Sequence, residues 1–398
     1  MTKKFKIRYN IPLPAEVEFV IDRLRSHGYE AFAVGGAVRD HVMGREPGDY
    51  DVTTSATPEE MLSVFEGERV VETGLKHGTL TVVKNGMNIE TTTYRIDGSY
   101  ADGRHPDSVE FTSSLTEDLR RRDFTINAMA YSPDGYLVDV FGGKDDIEKR
   151  QIRCVGLARE RFTEDGLRIL RALRFASVLG FTPDAECRDA VRELTPLLER
   201  ISRERIYVEV TKLLCGKNAA EVVREFAGVL SFAMPPLTEA GVRASADAIE
   251  ALHAMRSRFP DVRYAALLES VDCKGAAEVM TSLKPSAEEK KNVLSLVKVR
   301  GMKIETEYDV LCLMRDHGDE FPHKFAALEY ATGRVDLERA TWICEFALTA
   351  VREKRIRRVS QLPVSGADMI ALGLRGEEIG ARLRELLDEA MQRGDREE

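Results

Sequence analysis

The chain lacks the sequence features of a secreted, zinc-binding or membrane-spanning protein. Its six cysteines lie far apart and no C-x-x-C pair occurs, so neither a disulfide framework nor a zinc site is indicated. No apolar run approaches the roughly 18 residues of a membrane span. Residues 1–10 are basic but no apolar stretch follows them, unlike in a signal peptide. We therefore expect a cytoplasmic protein with reduced thiols and no membrane partner.

Internal repeats and an excess of positive charge are also missing. No repeat of fixed period and no long low-complexity segment separates parts of the chain. The net charge of -9 at pH 7 argues against indiscriminate polyanion binding, so a nucleic-acid partner needs a local basic surface. The 398 residues, 43% of them hydrophobic, suffice for a sizeable core and for two or more domains.

The pattern of predicted secondary structure changes near the end of the first third of the sequence. Up to about Asp139, short β-rich segments alternate with short helical ones, which is typical of a small α/β domain. From Glu164 onward, apolar residues recur at spacings of three and four, which predicts helices nearly to the end. The predicted fold class is α+β, with an N-terminal α/β head on a mixed sheet followed by an all-α helical array.

Local signals place the elements of the α/β part. The segment Thr57-Pro58-Glu59-Glu60 combines an N-cap, a proline at the first helical position and a capping-box glutamate, so a helix should run from it through Phe65. Asn85-Gly86 is a hairpin turn signal. The predicted strands are Ala31–Val34, Asp49–Thr53, Thr79–Val83 and Met87–Tyr94.

Gly35-Gly36 ends the first of these strands and begins a helix. Backbone N–H groups at such a turn can hold phosphates, because glycine lets the backbone approach closely and a helix start attracts anions. Arg39 lies three residues past Gly36 and could reach a phosphate from the first helical turn. A surface ion pair between Arg39 and Asp40 is the alternative interpretation.

Asp49 and Asp51 form a D-x-D motif on the second predicted strand. Residues i and i+2 of a strand point to the same face, where two carboxylates repel each other unless a cation lies between them. Oxygen ligands suit Mg²⁺, which takes its remaining ligands from water and substrate phosphates. A solvated turn is the alternative for an isolated D-x-D. Glu90, on the hairpin, is either a third carboxylate of the site or an exposed strand residue.

Two further segments carry paired charges. Arg121-Arg122-Asp123, followed by Phe124-Thr125-Ile126-Asn127, puts guanidinium groups that match phosphate geometry beside groups able to bond a ribose hydroxyl. A solvated, arginine-rich helix start is the other interpretation.

The second of these segments, Glu164–Arg174, is predicted to form one helix in which Asp165 and Arg168 are neighbours. They either form a structural ion pair or test the Watson–Crick edge of a base that carries an exocyclic amino group, as cytosine and adenine do. Arg171 and Arg174 continue in steps of three along the helix and are available to phosphates or RNA.

In their order and spacing, these motifs resemble those of the class II tRNA nucleotidyltransferase family, the CCA-adding enzymes, which share a head domain with bacterial poly(A) polymerases. Asp139–Ile147 resembles the hinge motif of the family, and Ile201–Ile206 with Glu209 and Lys212 resembles its last neck motif. Pro363–Asp368 with Gly373 and Ile379-Gly380 is a looser match to the tail. The resemblance implies a head at 1–150, a neck at 151–215, a body at 216–345 and a tail at 346–398.

The resemblance also implies a role for each matching residue. Asp49 and Asp51 would be the catalytic residues and the ligands of two Mg²⁺ ions. Base choice between CTP and ATP would belong to Asp165 and Arg168. The remaining roles would be triphosphate positioning by Gly36, Arg39 and Arg122, ribose contact by Asp123 and Asn127, and nucleotide support by Arg171 and Arg174.

The implied reaction is template-independent addition of C, C and A to the 3′ end of tRNA from CTP and ATP, with release of pyrophosphate. Body and tail would hold the acceptor arm by its backbone and shape. Two basic tracts are candidates for phosphate contact, although a solvated helix face is the alternative for each. They are Lys290-Lys291 with Lys298 and Arg300, and Lys354–Arg358.

Alternatives within and outside the family stay open. Poly(A) synthesis is second, because Gly74–Thr79 and the compact acidic C-terminus resemble CCA-adding members more closely. The polar loop between Arg95 and Phe111 resembles the flexible loop needed for the terminal A, which disfavours CC-only addition but leaves A-only addition open. No His-Asp dipeptide indicates an appended phosphohydrolase domain. A non-catalytic RNA-binding protein is the rival from another class, and either a monomer or a homodimer is compatible with the sequence.

Overall fold

The computed structural model describes residues 5–98 and 109–397. The chain forms two compact units, Met1–Asn218 and Ala219–Glu398. Their boundary lies near the predicted end of the neck at residue 215, while the finer division into four segments stays a prediction.

All six cysteines are free thiols. Within the described ranges, no helix combines the length and the apolar character needed to cross a membrane. Much of the predicted flexible loop, residues 99–108, lies outside the described residues.

The first unit carries the strands of the fold. In chain order they are β1 (Lys6–Arg8), β2 (Ala31–Val34), β3 (Asp51–Thr54), β4 (Arg69–Gly74), β5 (Thr79–Lys84), β6 (Met87–Thr93), β7 (Arg95–Asp97), β8 (Val109–Phe111), β9 (Met129–Ser132), β10 (Tyr136–Asp139), β11 (Gln151–Ile152) and β12 (Thr182–Pro183).

One sheet with the strand order β1-β10-β9-β2-β3-β6-β5-β4 forms the centre of this unit. Its pairings are antiparallel except for β3 with β6, which run parallel, so the predicted mixed sheet is confirmed. β7 and β8 form a separate antiparallel pair. β11 and β12 form a short parallel pair in a region that was predicted to be entirely helical.

The helices of the first unit surround this sheet and continue beyond it. They are α1 (Ala15–Ser26), α2 (Gly36–Val42), α3 (Pro58–Val64), α4 (Leu115–Arg120), α5 (Gly143–Glu148), α6 (Ala158–Glu164), α7 (Leu167–Phe175), α8 (Ala185–Glu193) and α9 (Arg203–Leu214), with 3₁₀ turns at Leu75–His77, Thr125–Asn127 and Thr195–Arg200 and a π turn at Ala176–Gly180.

The predicted capping box at the start of α3 is present. The Thr57 hydroxyl accepts a hydrogen bond from the Glu60 backbone N–H (3.3 Å), and the Glu60 carboxylate accepts one from the Thr57 N–H (2.7 Å). The helix ends at Val64, one residue before the predicted Phe65. Two N–H groups that the helix leaves without intrahelical partners are thereby satisfied.

The prediction that Asp49 lies on a strand is wrong. β3 begins at Asp51, which pairs with Val34, the last residue of β2. The chain turns away at Gly35 (φ +71°) into α2, so β2 offers no backbone partner to Asp49. On its other side Asp51 is in register with Glu90 of β6.

α4 carries the segment Arg121-Arg122 to this edge of the sheet. Its buried Leu115 and Leu119 pack in a hydrophobic cluster on the sheet, so the arginines follow the end of a helix rather than begin one. The other buried members of the cluster are Val34, Tyr94, Ala130 and Val138.

The second unit is helical in its regular structure, as predicted. Its helices are α10 (Ala219–Glu225), α11 (Ala227–Ala233), α12 (Glu239–Ala244), α13 (Ala246–Ala254), α14 (Pro260–Leu267), α15 (Cys273–Leu283), α16 (Ala287–Val299), α17 (Glu307–His317), α18 (Phe321–Ala331), α19 (Leu337–Arg352), α20 (Gly366–Ala371) and α21 (Glu377–Arg393), with 3₁₀ turns at Leu268–Ser270 and Val359–Gln361.

Two arginines of the basic tracts have structural partners in this unit. Arg300 donates hydrogen bonds to backbone carbonyls, including that of Leu268 at 3.0 Å. Arg357 is buried and donates from Nε and Nη2 to the Asp319 carboxylate at 2.8 and 3.0 Å. Neither arginine lies on a solvated helix face, which was the alternative, and phosphate contact at these two positions stays a prediction.

Candidate active site

A cleft of about 560 Å³ in the first unit brings together all the site residues that the sequence predicted. Asp123 and Asn127 also line it. The D-x-D carboxylates come from β3 and the loop before it, and the arginines come from α2, the segment after α4, and α7. The predicted residues that line the cleft are Gly36, Arg39, Asp49, Asp51, Arg122, Asp165, Arg168, Arg171 and Arg174.

Burial and neighbouring charges shift the pKa of the Asp51 carboxyl at the cleft. Burial raises the pKa of the Asp51 carboxyl; Arg122 opposes this rise, Asp49 and Glu90 add to it, and the resulting pKa is about 6. Asp49 is exposed in the loop before β3. Glu90 is exposed as well and does not line the cleft, but its charge acts on Asp51 because the two residues are neighbours on paired strands.

These carboxylates fit a hard divalent cation. A positive ion beside Asp51 would offset both its burial and the repulsion from neighbouring carboxylates. In the part of the chain that the structure describes, no group of three or more His, Cys, Asp or Glu side chains is arranged to hold a metal unaided. A cation at Asp49 and Asp51 therefore needs further ligands from water and substrate phosphates, which is how Mg²⁺ is usually bound.

The glycine turn lies against these carboxylates. At Gly35 an added Cβ would lie 3.1 Å from Arg122 Nη1 and 3.6 Å from Asp51 Oδ2, and its positive φ disfavours any other residue. Arg39, on α2, donates from Nε to Asp40 (2.9 Å) and from Nη1 to the Asn127 side-chain oxygen (2.8 Å). The ion pair with Asp40 thus exists, and the hydrogen bond to Asn127 holds Arg39 at the cleft.

Asp123 lies at the junction of two elements. Its carboxylate accepts hydrogen bonds from the Phe124 N–H (2.8 Å), Asn127 (3.2 Å) and Arg171 Nε (2.8 Å). Burial alone would raise the pKa of Asp123, but the guanidinium of Arg171 outweighs burial, and the pKa falls to about 2. Asp123 is therefore ionised at neutral pH and fixes Arg171 to the segment after α4.

The prediction of one continuous helix over Glu164–Arg174 is wrong. α6 ends at Glu164, Asp165 is extended (φ -139°, ψ 105°), and α7 begins at Leu167. The Asp165 carboxylate accepts from the Leu167 N–H (3.0 Å), which satisfies an N–H at the start of the new helix, and from Arg205 Nη2 (2.9 Å).

Arg168, three residues after Asp165, is buried and has partners of its own. It donates to the backbone carbonyls of Arg161 (3.0 Å) and Arg121 (3.1 Å) and to the Glu164 carboxylate (2.5 Å). Asp165 and Arg168 thus both line the cleft, each oriented by different groups.

Phe175 is a residue that sequence reasoning missed. Its ring centroid lies 5.3 Å from the guanidinium carbon of Arg39, 5.5 Å from that of Arg171 and 3.9 Å from that of Arg174. Its ring packs edge-on against Phe124, with centroids 5.7 Å apart. An aromatic residue four positions after one arginine and directly after another was the available signal, since cations lie over aromatic faces.

Other residues at the cleft were also not assigned a role. Arg205 and Lys212, named only as part of a neck motif, line the cleft from α9. Glu209, also on α9, forms an ion pair with Arg174 of α7 (2.5 Å). Asp118 lies buried behind Arg121 and Arg122. The sequence offered no clear signal for Asp118, because an aspartate in a short, charged helix usually faces solvent.

Comparison with known proteins identifies relatives over most of the chain. Residues 31–153 match the family described as the poly A polymerase head domain, and residues 180–227 match the probable RNA and SrmB-binding site of polymerase A. The CCA-adding enzyme of Geobacillus kaustophilus is 39% identical over 339 residues, which cover 79% of this chain and 82% of that protein. The CCA-adding enzyme of Geobacillus thermodenitrificans is 49% identical over 223 residues.

The lengths of these matches differ. The alignment with the Geobacillus thermodenitrificans protein covers 56% of this chain and spans only 55% of that relative. The crystal structure of the Bacillus stearothermophilus CCA-adding enzyme in complex with CTP superimposes with a TM-score of 0.81 at 31% identity, covering 95% of this chain and 94% of that one. The fold likeness therefore extends over nearly the whole chain.

Proposed function

Because the chain belongs to the CCA-adding enzyme family, we propose that it adds C, C and A to the 3′ end of tRNA from CTP and ATP, without a template, and releases pyrophosphate. The observation that carries this proposal is the cleft in which the D-x-D carboxylates lie together with many arginines. Its tRNA partner fits the match of residues 180–227 to an RNA-binding region. We place the reaction in the cytoplasm, in line with the six free cysteines. The arginines to which the sequence assigned a role are among those of the cleft: Arg39, Arg122, Arg168, Arg171 and Arg174.

We infer that Asp49 and Asp51 hold Mg²⁺. When bound, two such ions would activate the RNA 3′-hydroxyl and stabilise the leaving pyrophosphate. Asp51 is anchored by its pairing with Val34 and Glu90, whereas Asp49 lies in the preceding loop. One ligand is thus fixed by the sheet, and the other can adjust to the cation.

The arginines supply the charge that a triphosphate needs. Arg122 lies over the Gly35 turn, beside Asp51, where its guanidinium can meet phosphate oxygens next to the cation. Arg39 faces the same space from α2, and Arg171 and Arg174 extend the positive surface along α7. The nucleotide would therefore lie with its phosphates between α2 and the D-x-D segment.

Base selection is assigned to Asp165 and Arg168. A carboxylate only accepts hydrogen bonds, so Asp165 suits the exocyclic amino group of cytosine or adenine, while Arg168 can donate to a ring nitrogen or carbonyl. Uracil and guanine place a carbonyl where the amino group would be. An acceptor facing an acceptor in a buried site costs about 1–3 kcal/mol, which disfavours UTP and GTP.

The test is single-nucleotide extension by the purified full chain. The substrate is tRNA without its last three nucleotides, with Mg²⁺ and one labelled nucleotide at a time. We expect two C residues from CTP alone, a terminal A when ATP is added after CTP, and nothing from UTP or GTP. Addition of A alone to an end that already carries CC, long A tracts, or no extension would each contradict the proposal and select a different rival.

A further inference from the structure

Asp118 is a charged group buried where charge is costly. It lies on α4 with none of its surface exposed, and Leu115 and Leu119 of the same helix belong to the hydrophobic cluster on the sheet. An ionised carboxylate at such a position destabilises a fold unless it is well paired. It does not line the cleft, and the motifs recognised in the sequence do not include it.

Each oxygen of this carboxylate has its own partners. Oδ1 accepts from Arg121 Nε and Nη2 at 3.0 and 2.8 Å. Oδ2 accepts from the buried Thr53 hydroxyl at 3.1 Å and lies 3.6 Å from Arg122 Nη2. Burial would raise the pKa of Asp118, but Arg122 and Arg121 lower it overall, so the carboxylate stays ionised at neutral pH.

The two arginines are held differently. Arg121 is fixed by direct hydrogen bonds, whereas the 3.6 Å separation from Arg122 is an ion pair without the geometry of a hydrogen bond. Among the residues that the structure describes, none is a hydrogen-bond partner of the buried Arg122 Nε. Arg122 Nη1 lies above the Gly35 turn, so charge keeps this guanidinium in place while its Nη groups, rather than the buried Nε, can donate to a ligand in the cleft.

Asp118 also contacts the strand that carries the catalytic carboxylate. Thr53 is two residues after Asp51 on β3, and alternate residues of a strand project to the same face. The Thr53 hydroxyl therefore joins Asp118 to the same side of the strand from which Asp51 projects. One buried carboxylate thereby connects the strand of Asp51 to Arg122, which lies beside Asp51.

We propose that Asp118 is a positioning residue. It orients the Arg122 guanidinium toward the triphosphate of the incoming nucleotide and fixes the position of Arg122 relative to Asp51. The inference rests on the proposed function, because it takes a nucleoside triphosphate as the ligand of the cleft. Asp118 acts through Arg122 and does not itself touch the nucleotide. The ligand class follows from the guanidinium Nη donors of Arg122, which lie beside a carboxylate pair. This arrangement suits phosphate oxygens that share a cation with the carboxylates.

The test measures CTP dissociation constants by calorimetry for the full chain, for Asp118→Asn, for Arg122→Ala and for the double variant. Asp118→Asn keeps the shape of the side chain but removes its charge. We expect it to weaken CTP binding about tenfold, since a misplaced guanidinium loses about one charge-assisted contact. The double variant should bind CTP no more weakly than Arg122→Ala alone. Asp134→Asn, which breaks an exposed pair with Arg25, is the control and should bind as the unaltered chain does.

Additive effects in the double variant, or unchanged CTP binding by Asp118→Asn, would overturn the inference. Thermal unfolding of each variant shows whether the fold is intact. If Asp118→Asn does not fold, Thr53→Val replaces it in the same comparison, because it removes one contact to Oδ2 and leaves the charge. An unaltered chain that binds CTP but does not extend tRNA would refute the proposed function alone, whereas extension with additive variants would refute only the role of Asp118.

Discussion

At the residue scale, carboxylates set the positions of the cleft arginines. Asp123 holds Arg171 and Glu209 holds Arg174. Such pairs cost stability where they are buried, but they give each guanidinium one orientation before a nucleotide arrives. The D-x-D aspartates differ, because Asp49 raises the pKa of Asp51, and we propose that a cation offsets this repulsion.

Asp49→Ala tests the metal assignment. We expect transfer to fall by about a thousandfold, since loss of a metal ligand removes several kcal/mol of transition-state stabilisation. Binding of tRNA should be unchanged, because Asp49 lies in an exposed loop and supports no core. Steady-state transfer and filter binding measure the two quantities. Survival of near-normal transfer would show that Asp49 is not a metal ligand.

Gly35→Ala tests the close approach of the glycine turn to Arg122. Both Gly35 (φ +71°) and Gly28 (φ +92°) have positive φ, so alanine at either position should cost about 1 kcal/mol of the free energy of unfolding. No described residue lies within 4 Å of a Cβ at Gly28, which makes Gly28→Ala the matched control. Only Gly35→Ala should weaken CTP binding, as measured by calorimetry. Equal CTP affinity in both variants would contradict the contact with Arg122.

At the element scale, short sequence signals predicted the elements whose hydrogen bonds are made between residues close in the chain. The α3 capping box and the hairpin around Asn85-Gly86 follow from short segments, and both are present. The start of β3 and the break at Asp165 depend on partners distant in sequence. β2 ends opposite Asp51, and a Cβ at Gly166 would lie 3.1 Å from the Leu197 Cβ, so neither boundary could be read from its own segment.

In the candidate site, too, local motifs could be predicted, whereas partners distant in the chain could not. Its residues were predicted because they lie in short motifs with recognisable chemistry. Their partners were not assigned: Asp118 for Arg121 and Arg122, Arg205 for Asp165, and Phe175 for three arginines. These contacts depend on tertiary packing, which a pattern of spacing and charge does not contain.

Phe175→Leu tests whether α7 uses an aromatic ring to gather arginines. Leucine keeps most of the buried apolar volume but removes the face over which Arg39 and Arg174 lie. We expect CTP and ATP to bind about three- to tenfold more weakly, because cation–π contacts contribute about 0.5–2 kcal/mol. Phe162→Leu, in the buried face of α6, is the control and should lower only the unfolding temperature. A loss of nucleotide affinity shared equally by both variants would indicate a packing effect.

At the scale of the whole molecule, buried ionised carboxylates tie stability to pH. The pKa of Asp123 is about 2 in the folded chain, below its ordinary value, so its contribution is present at neutral pH and is lost as the pH falls from about 4 to 2. We expect roughly 2 kcal/mol of the free energy of unfolding to disappear in that window. Urea unfolding at a series of pH values measures it. Asp123→Asn should flatten this part of the profile, and an unchanged slope would contradict the assignment.

The residues that line the cleft also predict what the molecule makes. A site that tests base edges with Asp165 and Arg168 should add a defined sequence, whereas a site that only grips phosphates should add any nucleotide. Termination after three additions is the property that separates CCA addition from poly(A) synthesis.

The most direct test of this account is sequencing of the 3′ ends that the full chain produces on a tRNA pool trimmed of its last three nucleotides, with Mg²⁺ and all four nucleotides present. The account predicts products that end in CCA and grow no further. Tracts of A, incorporation of U or G, or ends left unextended would contradict it.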